Sequence, residues 1–196
     1  MICSKVEVTG IEDIKQRLGD FKNKAPTVLS RAINRAAENT RTNMGKETSG
    51  LYYISSTDVK KTVRIIRASR GSLKAEVLSQ GSGIALSKFR VSPGTPVKYR
   101  KNGSRSPKVY KASVKRSEGL KPLDKDPKAF IAVMKSGHTG VFERLSGKSL
   151  PLKQLYGPSV PQMVKNESIM KKINSSASET LQKRIDTEVN NILRKG

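Results

Sequence analysis

Between Pro26 and Met44 one series of small and apolar side chains, Val28, Leu29, Ala32, Ile33, Ala36, Ala37, Thr40 and Met44, recurs at spacings of three and four. An α-helix imposes that period on a half-buried surface, and Pro26 sits where a first-turn proline belongs. The spacing predicts a long helix over residues 26 to 48. Its stripe is rich in alanine, so whatever packs on it can come close. Arg31, Arg35, Glu38 and Arg41 flank the stripe and read as a solvated face.

Elements on either side follow from local pattern. "KVEV" (5 to 8) reads as a strand, and "TGIE" fits a capping box of Thr9 and Glu12 opening a short helix with Ile11, Ile14, Leu18 and Phe21 on one face. Ser55, Ser56 or Thr57 can cap a helix carrying Val59 and Val63, with Ile65 and Ile66 starting extended structure. "LKAEVL" (73 to 78) alternates as a half-buried strand with "GIALSKF" (83 to 89) as its expected hairpin partner. "AFIAVM" (129 to 134) and "GVFERL" (140 to 145) read as a second pair turned at "KSGHTG". The fold class is therefore α+β: a small, mostly antiparallel sheet flanked by a long N-terminal helix and a C-terminal helix.

That last helix is the segment from about 159 to 195, where "SVPQ" and "SASE" offer capping boxes at Ser159/Gln162 and Ser176/Glu179. Ile169, Ile173, Ala177, Leu181, Ile185, Val189 and Leu193 recur strictly every four residues. A repeat of four drifts by about 40° per step on a helix of 3.6 residues per turn. The pattern favours a bend or break near "NSSAS" (174 to 178), or a straight helix whose far end packs on a neighbouring subunit.

The 196 residues read as one domain. Only 35% are hydrophobic and Trp is absent, so its core is small and aliphatic. Lys and Arg number 39 against 16 Asp and Glu, a net charge of +23, which calls for a polyanionic or acidic partner. The charge concentrates in residues 88 to 121, an expected mobile loop or extended hairpin with eleven basic side chains against Glu118 alone. Lys98, Arg100, Lys101, Arg105, Lys108, Lys111, Lys115 and Arg116 are its candidate contacts to DNA or to an acidic neighbour.

Chemistry-bearing motifs are few. Cys3 is the only cysteine, which excludes an intramolecular disulfide and multi-cysteine zinc sites. His138, the only histidine, lies in a Gly-flanked turn and reads as a turn residue. "SGKS" (146 to 149) would complete a phosphate-binding loop only with glycine at position 142, which is Phe142. Asp124 and Asp126 are close together but lie beside Pro122 and Pro127, and no set of acids gathers for a metal-dependent nuclease. No apolar stretch reaches the roughly 18 residues of a membrane span, and no signal-peptide core opens the chain. We expect no enzyme activity, cofactor, metal site or membrane partner, and a protein made in a cytoplasm-like compartment or assembled into a particle there.

The connector "LPLKQLYGPSVPQM" (150 to 163) carries Leu150, Leu152, Leu155, Tyr156 and Pro158, stiffened by Pro151 and Pro161. These five side chains are the candidates for a subunit interface, since a stiff apolar segment loses little entropy on docking. They could equally fold over the chain's own sheet.

"AFIAVMKSGHTGVFERLSGKSLPLKQLYGPSVPQM" (129 to 163) resembles the corresponding part of the minor tail protein Z family of tailed phages and prophages, also called tail completion proteins. "LSRAINRAAENTRTNMGKET" (29 to 48) and "ISSTDVKKTV" (54 to 63) are similar to that family's long helix and the segment after it. The resemblance implies a structural protein at the head-proximal end of the tail, in a hexameric ring of its own copies. Tail tube and neck or connector proteins would be its neighbours, and DNA would pass through the lumen. A free, non-specific nucleic-acid-binding protein of ribosomal or chromosomal type is the alternative. It suits the charge but explains neither the 129 to 163 block nor the connector.

Overall fold

The computed structural model describes residues 2–7, 10–97, 109–125, 128–146, 148 and 150–195. They group into two compact units, Met1–Thr48 with Ser55–Gly81 and Val160–Gly196, and Ser49–Ile54 with Ser82–Ser159.

The first unit is built on the predicted long helix. It contains strand β1 (Ile2–Glu7), helix α1 (Ile11–Leu18), helix α2 (Ala25–Leu51) as far as Thr48, and helix α3 (Ser56–Lys61). Strands β2 (Val63–Ile66) and β3 (Lys74–Ser79) and helices α4 (Val160–Val164) and α5 (Glu167–Leu193) complete it. All eight side chains of the α2 stripe, Val28 through Met44, are completely buried. Each buried Val, Leu or Ile there contributes about 1.5–3 kcal/mol, which makes this face the anchor of the unit.

One expected helix start and one expected helix end change. Gly10, in the left-handed region at φ 98°, precedes α1 with no side-chain cap; Thr9 itself lies outside the described residues. Ser55 caps α3 as expected, its hydroxyl accepting from the Asp58 N–H at 3.0 Å. Val63, however, opens β2 instead of continuing α3, because Thr62 closes the helix by donating its hydroxyl to the Val59 carbonyl at 2.8 Å.

Strand β3 pairs antiparallel with β1 and with β2, in the order β1-β3-β2. Its Ala75, Val77 and Ser79 are buried, the alternation its sequence predicts. With both edges occupied, β3 has no hydrogen-bonding side left for residues 83 to 89, and the expected hairpin between them does not form.

Helix α5 is unbroken over its 27 residues, so of the bend, break or straight helix that the pattern allows at 174 to 178, the break is absent. Ile169, Ile173, Ile185 and Val189 are buried, Ala177 and Leu181 half-buried, and Leu193 is 47% exposed. The drift of the four-residue repeat is absorbed by a second, polar row that meets α2 alongside the apolar one. Lys172 pairs with Glu47 at 3.3 Å and Arg31 with Glu188 at 3.4 Å. Between them Ser176 accepts from Asn43 at 2.7 Å and donates to Asn39 at 3.2 Å. Ser176 is thus a mid-helix contact rather than the predicted cap; Asn166 caps α5, accepting from the Ser168 N–H at 3.1 Å. The pairings run in opposite senses along the two helices, which are therefore antiparallel.

The second unit is a set of short antiparallel sheets. Its strands are β4 (Gly83–Ala85), β5 (Arg90–Ser92), β6 (Lys111–Ser113), β7 (Lys121–Pro122), β8 (Phe130–Val133), β9 (Thr139–Arg144), β10 (Leu152–Gln154) and β11 (Tyr156–Ser159). They pair as β10-β9-β8, β11-β4 and β5-β6-β7, so the one sheet expected is divided among four across the two units. The β8–β9 hairpin forms as predicted, with Phe130 opposite Phe142. β4 finds its partner in β11, with Tyr156 opposite Ala85. Phe89 fills the space over Gly157, its ring 2.6 Å from where a Cβ would stand.

Candidate functional site

The connector leaves the sheet edge through the β9–β10 hairpin. Leu152, Lys153 and Gln154 pair with Arg144, Glu143 and Phe142, and Lys153 adds an ion pair to Glu143 at 3.3 Å. Leu155 is then held from both sides: its N–H donates to Val141 at 2.8 Å, and its carbonyl accepts from the Leu86 N–H at 2.9 Å. This backbone clamp decides what each side chain does. Leu152, Leu155 and Pro158 are half-buried in their own unit, whereas Leu150 is 69% and Tyr156 59% exposed. The five candidates thus divide into three that face inward in part and two that project. Leu145 at the end of the hairpin, 59% exposed, adds a third projecting apolar side chain that the sequence reading did not single out.

The basic block is a hairpin at its base. β5 pairs with β6 in the register Arg90↔Ser113 and Ser92↔Lys111, so the strands on each side of residues 93 to 110 run together. Lys98, Arg100, Lys101, Arg105 and Lys108 lie outside the described residues. Of the candidates that are described, Lys111 and Arg116 are exposed and Lys115 is half-buried. Lys115 and Lys121 both pair with Glu118, at 3.3 and 2.7 Å. These two ammonium groups, Lys121 foremost, hold the Glu118 carboxyl below its usual range.

Arg116 has a different setting. Residues 51 to 53 lie along β6 and its continuation, with Tyr53 donating its N–H to Val114 and Arg116 its N–H to Leu51, at 2.8 and 2.9 Å. Two guanidinium groups thereby meet the Tyr53 ring, Arg90 at 5.5 Å and Arg116 at 4.9 Å from its centroid. Arg90 also donates to the Tyr53 hydroxyl at 3.0 Å, and Arg116 donates its Nε–H to the Ser49 carbonyl at 2.8 Å. The ring and these hydrogen bonds fix two cations side by side on an exposed surface without a carboxylate among the described residues pairing with either. Tyr53 and Arg90 were not among the predicted contacts; the only sequence signal was an aromatic pair, "YY", just after a long helix.

The described residues of the remaining motifs sit in ordinary structure. His138 is exposed in the β8–β9 turn and its Nε2 lies 3.0 Å from the Gln154 amide. Phe142 is buried in mid-strand, and Asp124 is exposed while Asp126, Gly147 and Ser149 lie outside the described residues. Among the described residues no three His, Cys, Asp or Glu side chains gather as metal ligands, and no helix is long and apolar enough to cross a membrane.

An α+β chain whose surface features are a strand-anchored apolar connector and a basic hairpin is of the kind that works through contact surfaces. A sequence model of the prophage minor tail protein Z family matches residues 8–195, and the chain belongs to that family. It is accordingly a structural component of a phage-type tail. No curated protein and no solved structure matches it.

Proposed function

We propose that this protein finishes the head-proximal end of the tail, with its copies closing into a ring that joins the tail tube to the neck and lets DNA pass. The observation that carries the reading is the connector: Leu150 and Tyr156 project from a segment whose backbone is clamped at Leu155. An exposed apolar surface on a preformed backbone suits a recurring subunit contact. Six-fold closure is carried over from the family's place in the tail. The protein acts without catalysis or cofactor, assembles in the host cytoplasm and resides in the neck region of the virion. The basic hairpin faces the DNA lumen or an acidic neighbour, contacts that weaken as salt rises.

Light scattering and negative-stain microscopy of the purified chain, with and without tail tubes and duplex DNA, test this. Rings, or monomers that become rings on tube ends, support it. A monomer that binds duplex DNA in a steeply salt-dependent way and ignores tail tubes would replace it with the free nucleic-acid-binding reading.

A further inference from the structure

The polar seam between α2 and α5 has one rung that does not match. On either side of it charges and amides are complementary: Lys172 with Glu47, Ser176 with Asn39 and Asn43, Glu188 with Arg31. In between, Arg35, Glu38, Asn39 and Thr42 of α2 and Thr180 and Arg184 of α5 line an open cleft of about 300 Å³. Two arginines, one from each helix, line this cleft, and neither has a carboxylate within ion-pairing distance among the described residues. Glu38, the one acid in the wall, is engaged by Arg67. Asn39 uses its carbonyl oxygen for Asn43 and Ser176, which leaves its amide NH2 as a further donor.

We infer that the cleft is an oxyanion site, built to receive a phosphate or carboxylate group between Arg35 and Arg184. Like charges bordering a common cleft repel, and an anion there turns the repulsion into two charge-assisted forks, with Thr180 and Asn39 able to complete its hydrogen bonding. The anion comes from outside this seam, since its acids Glu38, Glu47 and Glu188 already pair with Arg67, Lys172 and Arg31. The site lies within the first unit and is independent of the connector and the basic hairpin, so it stands or falls apart from the assembly proposed above.

Thermal unfolding of the full chain in chloride, phosphate and acetate at matched ionic strength and pH tests the inference, together with direct calorimetric titration of phosphate and acetate. A saturable rise in Tm with phosphate alone assigns a phosphate-type anion. A rise with acetate as well assigns a carboxylate, such as an Asp or Glu of a neighbouring protein. The rise should be absent from Arg35→Gln/Arg184→Gln, whose Tm in chloride should equal or exceed that of the parent. Equal melting in the three salts without saturable heat in either titration would overturn the inference, whatever the variant does. So would a saturable rise that persists in the variant.

Discussion

Asn34 and Ala68 are joined by two hydrogen bonds: the Asn34 amide donates to the Ala68 carbonyl at 2.9 Å and its oxygen accepts the Ala68 N–H at 2.8 Å. One side chain on α2 thereby satisfies both backbone groups of a residue 34 positions away, just beyond β2. Asn34→Ala should cost about 1–3 kcal/mol, since two partly buried groups lose their partner. Asn34→Asp keeps the acceptor and loses the donor, and should fall between. Urea denaturation followed by circular dichroism measures both. Equal stability of all three proteins would mean water replaces the amide without loss.

Gly157 and Phe89 make the opposite kind of contact, one defined by an absent side chain. A Cβ at Gly157 would stand 2.6 Å from the ring of Phe89, itself buried. Gly157→Ala must displace the ring, at a cost of about 1–3 kcal/mol. The double variant Gly157→Ala/Phe89→Leu should recover part of that loss if the clash is its cause, as a denaturation series on the four proteins would reveal.

Glu118 gives the basic hairpin a pH dependence of known sign. Its carboxyl titrates below the usual range in the folded protein because Lys121 and Lys115 favour the charged form. The folded state therefore binds that proton less readily than the unfolded chain. Its contribution is complete above the ordinary carboxylate range and is lost as pH falls through the depressed folded value. Glu118→Gln should lower Tm slightly at neutral pH and converge with the parent in acid. Curves that run parallel across the whole range would assign the pairing no net effect.

Leu150 and Tyr156 can be changed without touching the core. Leu150→Ser and Tyr156→Ser should each alter the stability of the isolated chain by less than about 0.5 kcal/mol, as exposed substitutions do. Combined, they should abolish assembly on tail tubes, scored by microscopy. Normal rings from the double variant would remove the connector from the interface.

What could be read from sequence was what local periodicity decides. The α2 stripe from Val28 to Met44 and the β8–β9 hairpin depend only on neighbours a few positions apart, and both are present. Pairing across long separations is a competition that a single segment does not disclose. Residues 83 to 89 follow β3 across a turn signal, as a hairpin partner would, yet β1 and β2 occupy both of its edges. Ser176 has the spacing of a cap, but the amides of Asn39 and Asn43 give its hydroxyl better use inside the helix. Tyr53 was not legible as a partner of Arg90, 37 positions on, because only the fold aligns residues 51 to 53 with β6. The candidate connector was visible as composition; which of its side chains project depends on the clamp at Leu155.

The distribution of aromatic residues between the two units has a practical consequence for spectroscopy. All four described tyrosines, 52, 53, 110 and 156, fall within the second unit, and the chain has no tryptophan. Helix α5 and nearly all of α2, which dominate the helical signal, belong to the first. Intrinsic fluorescence and far-ultraviolet circular dichroism are therefore separate thermometers, one for each unit. Superimposed transitions would report a single cooperative body, and separated ones would rank the units by stability without a label or a mutation.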